Sequence, residues 1–285
     1  MNLLMAIASR VARTLLLMLF AAAGTILQVR FAPGFFSDPR EMDGRYAQAA
    51  RIEMQEQSSR QEFAGRSAVN QVEGWFRGDF GESRQYGVPV SDLICARLRV
   101  SGSLLVRGLA QGWLLALCAA FPVSGLRGGG TLWGAPFTIL LAIPTAAMAT
   151  ACILSQTGGP ILVLTLLIAS REFKFLHRLL TQAWRAPHVL QGRAQGLSVF
   201  SLVRRHILPN VAPQLGALAA LSIVTALGAL VPIEAIFTVP GVGQLAWSAV
   251  MNRDLPVVAA VSLLMALLVR VTGLVTTRTL ALEGA

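Results

Sequence analysis

Charged residues are scarce in this chain: Asp, Glu, Lys and Arg together make up 13% of its 285 residues. Soluble domains carry about 25% charged residues. Hydrophobic residues account for 54% of the chain, and the mean hydropathy is +0.62. This composition argues against a soluble domain and predicts an integral membrane protein.

Cysteine and histidine are also few, with three residues of each type. The cysteines lie far apart and two of them fall in apolar runs, which is typical of small buried hydrophobic residues rather than of a disulfide framework. The histidines lack the spacing of metal ligands, so surface or interface positions are the favoured interpretation. We therefore predict no metal site. The residues concerned are Cys95, Cys118, Cys152, His177, His188 and His206.

Acidic residues are nearly absent outside one segment. Between Arg30 and Arg99, ten arginines are balanced by ten acids, whereas the rest of the chain has fourteen Lys and Arg against four acids. That remainder carries the whole net charge of +10, and seven of its cations lie between Arg171 and Arg205. A basic loop between apolar runs is typical of the cytoplasmic side of a membrane protein. The distribution favours a membrane protein over a nucleic-acid-binding one.

Six apolar runs are candidates for the roughly 20 residues that a spanning helix needs. We interpret the first run as an uncleaved span, although "AAAG" at residues 21–24 also resembles a signal-peptidase site. The fourth run must continue past Lys174, because eleven residues cannot cross the bilayer. The predicted spans cover residues 14–29, 100–123, 132–154, 160 to beyond 174, 211–230 and 257–275.

This pattern predicts an all-α membrane protein of six transmembrane helices with both termini in the cytoplasm. Residues 1–29 form an N-terminal helix, residues 30–99 an extracytoplasmic segment between helices 1 and 2, and residues 100–285 a core of five helices. The basic loop between the fourth and fifth spans, residues 178–210, is then cytoplasmic.

The stretch "RAQGLSVFSLVRRHILPN", residues 193–210, predicts a short amphipathic helix-turn-helix. Gly196 can end one helix in the left-handed conformation, and Ser198 can cap the next. Pro209 stops or kinks that second helix. Its apolar face consists of Phe200, Val203 and Ile207. Such a face suits either a groove in a partner protein or an anionic lipid surface.

The spacing of this stretch resembles the cytoplasmic coupling loop of binding-protein-dependent ABC importer permeases. That loop reads Glu-Ala-Ala, three residues, Gly, nine residues, then Ile-x-Leu-Pro. Gly196, Leu208 and Pro209 match in register, whereas Leu190, Gln191 and Gly192 occupy the Glu-Ala-Ala positions. The resemblance is strongest to the dipeptide, oligopeptide and nickel branch, at Arg193, Ala194, Gly196, Leu197, Ser198, Arg205, His206, Leu208 and Asn210.

Two further segments are similar to the same branch. "GDFGESRQYGVPVSDLICARL", residues 78–98, resembles its entry into the second span. "IEAIFTVPGVGQLAWSAVMNRDLPVV" resembles the stretch that follows its fifth span, which is expected to fold back as a periplasmic cap beside the pathway. The matching residues are Glu234, Phe237, Pro240, Gly241, Gly243, Arg253, Asp254 and Pro256.

The resemblance implies a type I importer permease subunit of the bacterial inner membrane. It implies a homologous second permease, giving a heterodimer, together with two ABC ATPases and an extracytoplasmic solute-binding protein. ATP and Mg²⁺ would bind to the ATPases, so this chain is expected to bind no cofactor directly and to be no enzyme. The residues implied in ATPase coupling are Arg193, Ala194, Gly196, Leu197, Ser198, Phe200, Val203, Arg205, Ile207, Leu208 and Pro209.

Peptides are the substrate that the resemblance favours, with nickel, another small solute, or a role in export or assembly as alternatives. Glu234 either faces the pathway or is held by Arg253 or a backbone donor, and the structural role is favoured. Arg171, Glu172 and Lys174 either line the pathway or mark the cytoplasmic end of a tilted span.

Two rival functions are less well supported. A secondary transporter would need broken helices in both halves of an inverted repeat, and we find one Pro-Gly-interrupted stretch, residues 232–256, without a counterpart. A membrane-embedded enzyme would need clustered His, Asp, Glu or Cys at helical spacing, which the sequence does not show.

Overall fold

A computed structural model describes residues 79–125 and 130–281, together with the single positions Phe20, Gly24 and Gly74. The first predicted span and most of the predicted extracytoplasmic segment lie outside the described residues. Within them, regular structure is helical apart from one isolated β-bridge between Glu82 and Pro89. The predicted all-α class is therefore confirmed for the described part of the chain.

The helices follow one another with short connections. In chain order they are α1 (Val90–Ser124), α2 (Gly130–Ala142), α3 (Thr145–Leu154), α4 (Pro160–Trp184), α5 (Pro187–Ala194), α6 (Val199–Leu202), a π-helical turn (Val203–Ile207), α7 (Leu208–Ile236), α8 (Val242–Met251) and α9 (Leu255–Ala281).

Three helical stretches of the described chain are long and apolar enough to cross a membrane: Val90–Ser124, Val199–Ile236 and Leu255–Gly273. A fourth is possible if α2 and α3 together form one broken span. Helix α4 has 25 residues, which is long enough at 1.5 Å per residue. It is not among the apolar candidates, because it carries charged residues at its centre.

The predicted third span, residues 132–154, is not one straight helix. Its two halves, Trp133–Ala142 and Thr145–Leu154, meet at an angle of 97°. Pro144 explains the break, since it has no N–H to donate and its ring disfavours helical backbone at Ile143. Pro144 then precedes the first turn of α3, where Met148 N–H donates to its carbonyl at 3.0 Å.

Other helices are longer than their apolar runs predict. Helix α1 begins at Val90, ten residues before the predicted start of the second span. Helix α7 covers Leu208–Ile236 and α9 covers Leu255–Ala281. The hydrophobic run indicates where lipid covers a helix, whereas backbone hydrogen bonding continues past it into polar surroundings.

Pro209 does not stop the helix, contrary to one of the two expected effects. The chain from Val199 to Ile236 is continuous, with Pro209 in the first turn of α7. The π-helical turn Val203–Ile207 lies directly before it. A proline removes one donor and its ring crowds the carbonyl four residues back, and the wider turn gives that carbonyl room.

The described residues form two compact units. One contains residues 79–98 and Leu245–Leu267, and the other contains Arg99–Gln244 and residues 268–281. In the second unit, α1 and α4 approach closely through glycines, because a Cβ atom on Gly112 would lie 2.7 Å from the Cβ atom of Ile168. The buried cluster of this unit joins α1, α4, α5, α6 and α7 through Ala116, Ala120, Phe173, Leu176, Leu180, Val189, Leu202, Ile207 and Val211.

Candidate functional site

The basic loop turns sharply after α5, at Gly196. The N–H of Leu197 donates to the carbonyl of Gly192 at 3.1 Å, and the N–H of Gly196 donates to the carbonyl of Arg193 at 3.0 Å. These two bonds make a Schellman motif, which needs a left-handed residue after the helix. Gly196 supplies it with φ of +79°. No atom lies within 4 Å of a Cβ placed on Gly196, so conformation rather than crowding favours glycine.

Ser198 caps the second short helix, as the sequence predicts. Its backbone is extended, with φ of −62° and ψ of 151°, and its hydroxyl accepts a hydrogen bond from the N–H of Ser201 at 3.3 Å. An N-cap of this kind satisfies a donor that the first helical turn leaves open. Gly196 and Ser198 together therefore define the turn between α5 and α6.

The predicted single apolar face of this second helix is divided in the structure. Phe200 is 73% exposed, whereas Ile207 is 1% exposed and belongs to the buried cluster. Val203 is half-buried against the same cluster. The π-helical turn changes the angular step between residues, so Ile207 no longer shares a face with Phe200. The large apolar side chains that α6 exposes are Val199, at 60%, and Phe200.

Of the three Glu-Ala-Ala positions, the last has a packing role here. Gly192 is buried, and a Cβ atom on it would lie 2.7 Å from Cδ2 of Leu202. Leu190, at the glutamate position, is 51% exposed. Asn210 Nδ2 lies 2.9 Å from His188 Nε2 and donates to the carbonyl of His206 at 2.8 Å, which joins α5 to the start of α7.

The remaining coupling residues predicted by resemblance are found at the surface or at its edge. Arg193, Ala194, Arg205, Leu208 and Pro209 are exposed, and Leu197 is partly buried against the cluster.

Glu234 holds the start of α8. Its carboxylate is fully buried, at 0% exposure. Oε2 accepts hydrogen bonds from the N–H groups of Gly243 at 2.7 Å and Gln244 at 3.3 Å, and Oε1 accepts one from Ser101 Oγ at 2.7 Å. Ser101 Oγ in turn accepts from the N–H of Val242 at 2.7 Å. The pair thus binds three N–H groups of the first turn, where an anion is favoured.

Both glycines of the Pro-Gly-Val-Gly motif make room for this contact. A Cβ atom on Gly241 would overlap the carboxylate of Glu234, and one on Gly243 would lie 2.8 Å from Cα of Val231. The segment expected to fold back as a cap contains a ten-residue helix, α8, whose start is packed closely against the end of α7. Of the neighbouring predicted residues, Phe237 is half-buried and Pro240 is exposed.

Asp254 makes a second buried carboxylate contact, within the other unit. Its Oδ2 accepts hydrogen bonds from Ser83 Oγ at 2.5 Å and from the N–H of Gln85 at 3.2 Å. Asp254 is 1% exposed, so it fixes the loop before α1 against the start of α9. Arg253 beside it is half-buried with φ of +56°, and Pro256 lies in the first turn of α9.

Two charged residues of α4 contact α7. Glu172 is fully buried, and its Oε1 accepts a hydrogen bond from Ser222 Oγ at 2.8 Å. Trp113 Nε1 donates to the same hydroxyl oxygen at 3.1 Å. Arg171 donates to the hydroxyl of Thr225. Lys174 is half-buried.

Sequence reasoning missed the hydroxyl partners of these carboxylates, and also the indole of Trp113 that donates to Ser222. Ser101, Ser83 and Ser222 lie 133, 171 and 50 positions from the acids they contact. Nothing local in the sequence pairs them, although a serine in an apolar run is a polar group that needs a partner. Among residues 79–125 and 130–281, no group of three or more His, Cys, Asp or Glu is placed to hold a metal ion.

Known proteins are similar to this chain in sequence. The family model described as "Binding-protein-dependent transport system inner membrane component" matches residues 113–282. The dipeptide transport system permease protein DppB of Lactococcus lactis is 27% identical over 224 residues, which cover 70% of this chain and 73% of the relative. The oligopeptide transport system permease protein AppB of Bacillus subtilis is 30% identical over 236 residues, covering 70% and 72%.

A third relative matches over a shorter region. The metal-staphylopine import system permease protein CntB of Staphylococcus aureus is 34% identical over 109 residues, which cover 38% of this chain and 35% of the relative. The family model spans well over half of the chain and includes α4 to α9 with the basic loop between α4 and α7. The chain therefore belongs to the binding-protein-dependent transport system inner membrane components.

Proposed function

We propose that the chain is one of two permease subunits of an ATP-driven importer for di- and oligopeptides. The observation that carries the proposal is the hydrogen-bonded turn of the basic loop, which exposes Val199 and Phe200 while Leu202 and Ile207 are buried in the core. A surface that transmits movement needs both features: a contact that projects outward and a stiff connection to the spans.

The ATPase contact would centre on Phe200. Fully burying a Phe side chain contributes about 1.5–3 kcal/mol, so Phe200 and Val199 together can seat the loop in an apolar groove. The Schellman turn at Gly196 and the cap at Ser198 set the direction in which they project. Nucleotide-driven movement of the ATPases would then shift α5, α6 and α7 as a body.

The segment from Pro232 to Pro256 would form a periplasmic cap beside the pathway. Glu234 is fully occupied by Ser101 and the first turn of α8. This supports a structural role over direct contact with a peptide amino group. The burial of Glu172 against Ser222 likewise supports a role in ordering α1, α4 and α7. Arg171 and Lys174 remain the better candidates for a contact with the pathway.

We propose six spans with both termini in the cytoplasm of a bacterial inner membrane. The concentration of cations between Arg171 and Arg205 supports this orientation. The partners would be a homologous second permease in a heterodimer, two ABC ATPases that bind ATP and Mg²⁺, and an extracytoplasmic solute-binding protein. ATP hydrolysis would take place on the ATPases, so we assign no catalytic residue to this chain.

The names of DppB and AppB support peptides as the substrate. Import of a metal chelate is a second candidate, favoured by the 34% identity to the metal-staphylopine permease CntB. Uptake of labelled peptides and of chelated metal, in cells with and without the chain, separates the two. Peptide uptake that is lost with the chain and restored by it is the expected result.

Coupling is tested by reconstituting the chain with its co-purifying ATPase subunits and measuring ATP hydrolysis. We expect hydrolysis to depend on the permease and to fall when Phe200 is changed to aspartate. Hydrolysis that is the same with and without the permease would contradict the proposed coupling.

A further inference from the structure

The loop that exposes Val199 and Phe200 has no acidic residue near it in sequence. From Phe173 to Ile233 the chain contains six Lys and Arg residues and not one Asp or Glu. An arginine in such a stretch has no neighbouring carboxylate of its own chain within that sequence. The positive charge of this stretch is therefore not balanced by an acid within it.

Arg178, inside α4, is exposed, and so are the four arginines that follow α4 in this stretch. Arg185 follows α4, Arg193 lies in the last turn of α5, and Arg204 and Arg205 lie in the π-helical turn after α6. Phe200 is placed between the second and third of these along the chain, with 73% of its surface exposed. Cations thus flank the exposed apolar side chains on both sides in sequence.

The position at which the resembling loops have glutamate holds Leu190, which is half-exposed. An interaction that used an acid of the permease and a base of the partner is therefore not possible at that position. Guanidinium groups prefer carboxylates, which they can bind through two parallel hydrogen bonds. This chain accordingly supplies the basic side chains of the contact.

We infer that the surface that receives this loop is an apolar pocket on the ATPase subunit bordered by Asp and Glu side chains. The inference rests on the proposed function, in which the loop docks on that subunit. Phe200 and Val199 fill the pocket, and Arg193, Arg204 and Arg205 contact its acidic border. The basic charges raise the rate of encounter and fix the orientation of docking.

The geometry favours a protein pocket over an anionic lipid surface. A helix that lies on lipid presents a long stripe of apolar residues to the bilayer. The exposed apolar side chains of α6, Val199 and Phe200, are consecutive and so do not form such a stripe. Among the side chains that would continue it, Leu202 and Ile207 are buried in the core, Val203 is half-buried against the core, and Leu208 is exposed.

The test measures the affinity of the co-purifying ATPase subunit for the full chain in nanodiscs of phosphatidylcholine alone, at low and high salt. The variants are Arg204→Glu with Arg205→Glu, and Arg204→Lys with Arg205→Lys. Arg84→Glu is the matched control, since Arg84 is an exposed arginine outside the loop. Thermal unfolding confirms that each variant is folded.

We expect the charge-reversal variant, Arg204→Glu with Arg205→Glu (the double reversal), to weaken binding at low salt by about tenfold or more. The loss should shrink at high salt, which screens exposed charges. The lysine variant should stay within about threefold of wild type, because it keeps the charges but loses the bidentate geometry. Arg84→Glu should bind like wild type. A compensating Asp or Glu to Lys change in the ATPase should restore binding to the double reversal.

The outcomes separate this inference from the proposed function. If the ATPase binds the wild-type chain and the double reversal equally well, the inferred acidic border is wrong, whereas docking of the loop on the ATPase stands. If the arginines matter only after phosphatidylglycerol is added to the nanodiscs, lipid is their partner and the inference is overturned. If the ATPase does not bind the wild-type chain at all, the proposed function fails, and the inference fails with it.

Discussion

Glu234 shows how one buried side chain can set the position of a whole helix. Its carboxylate and the hydroxyl of Ser101 take up three N–H groups at the start of α8. Buried donors that lose their acceptor cost about 1–3 kcal/mol each. The stability of this region therefore depends strongly on a residue that could be mistaken for a substrate ligand.

Glu234→Ala is expected to lower the free energy of unfolding by about 3 kcal/mol, because several donors lose their acceptor together. Glu234→Gln should cost less, since an amide oxygen can still accept from the backbone. Thermal unfolding of the purified chain measures both. Glu82→Ala, which removes an exposed acid, is the control and should change little. Normal stability of Glu234→Ala with lost transport would point to a direct role in the pathway.

Thr238 is a second position where the residue type decides local stability. It follows the end of α7 with φ of +52°. The N–H of Thr238 donates to the carbonyl of Ala235 at 3.3 Å, and the N–H of Val239 donates to the backbone carbonyl of Glu234 at 2.9 Å. This is a Schellman motif with a β-branched residue at the left-handed position. Glycine is the residue that the motif prefers there.

Thr238→Gly should raise the free energy of unfolding by about 1 kcal/mol, because it removes the steric conflict of a left-handed L-residue. Thr150→Gly is the matched control: Thr150 lies inside α3, where glycine should destabilise by roughly 0.5 kcal/mol. Chemical or thermal unfolding in detergent reports both changes. A Thr238→Gly variant that is less stable than wild type would contradict this interpretation of the turn.

At the scale of elements, local signals predicted the turns well and long-range contacts poorly. Gly196 and Ser198 specify the turn between α5 and α6 through bonds that span at most five residues. The prediction that Phe200, Val203 and Ile207 share one face is wrong, because the π-helical turn that separates them has no clear signature in sequence. Ser101 could not be paired with Glu234, since the contact joins helices far apart along the chain.

Gly196→Ala tests whether the turn itself matters for coupling. Alanine at φ of +79° is strained by about 1–2 kcal/mol, so the direction in which Phe200 projects should change. We expect less permease-dependent ATP hydrolysis with the chain still folded. Gly228→Ala is the control, because Gly228 lies in α7 with open space around its Cα. Equal hydrolysis by wild type and Gly196→Ala would show that the turn is dispensable.

At the scale of the whole molecule, the described part of the chain combines apolar helical stretches with buried polar contacts. Three apolar stretches can cross a membrane, whereas α4 carries Arg171, Glu172 and Lys174. Ionisable groups at membrane depth are costly and are retained where they pair or face a cavity. The contacts of Glu172 with Ser222 and of Arg171 with Thr225 supply such pairing.

Glu172→Ala is expected to lower substrate uptake without lowering the amount of protein in the membrane. The change removes the carboxylate that accepts from Ser222, whose hydroxyl keeps the carbonyl of Leu218 in its own helix, and so loosens the contact between α4 and α7 that transport would have to move as one body. Uptake assays and immunoblots of membrane fractions measure the two quantities. Unchanged uptake would remove Glu172 from any role in transport.

The central claim is that α6 contacts an ATPase subunit in the cytoplasm. The most direct measurement is crosslinking in intact cells from a single cysteine at position 200, with Cys95, Cys118 and Cys152 replaced by alanine. The account predicts a crosslink to the ATPase subunit from Phe200→Cys and none from the exposed α7 position Leu221→Cys. Labelling of position 200 by a membrane-impermeant reagent added outside the cells would contradict it.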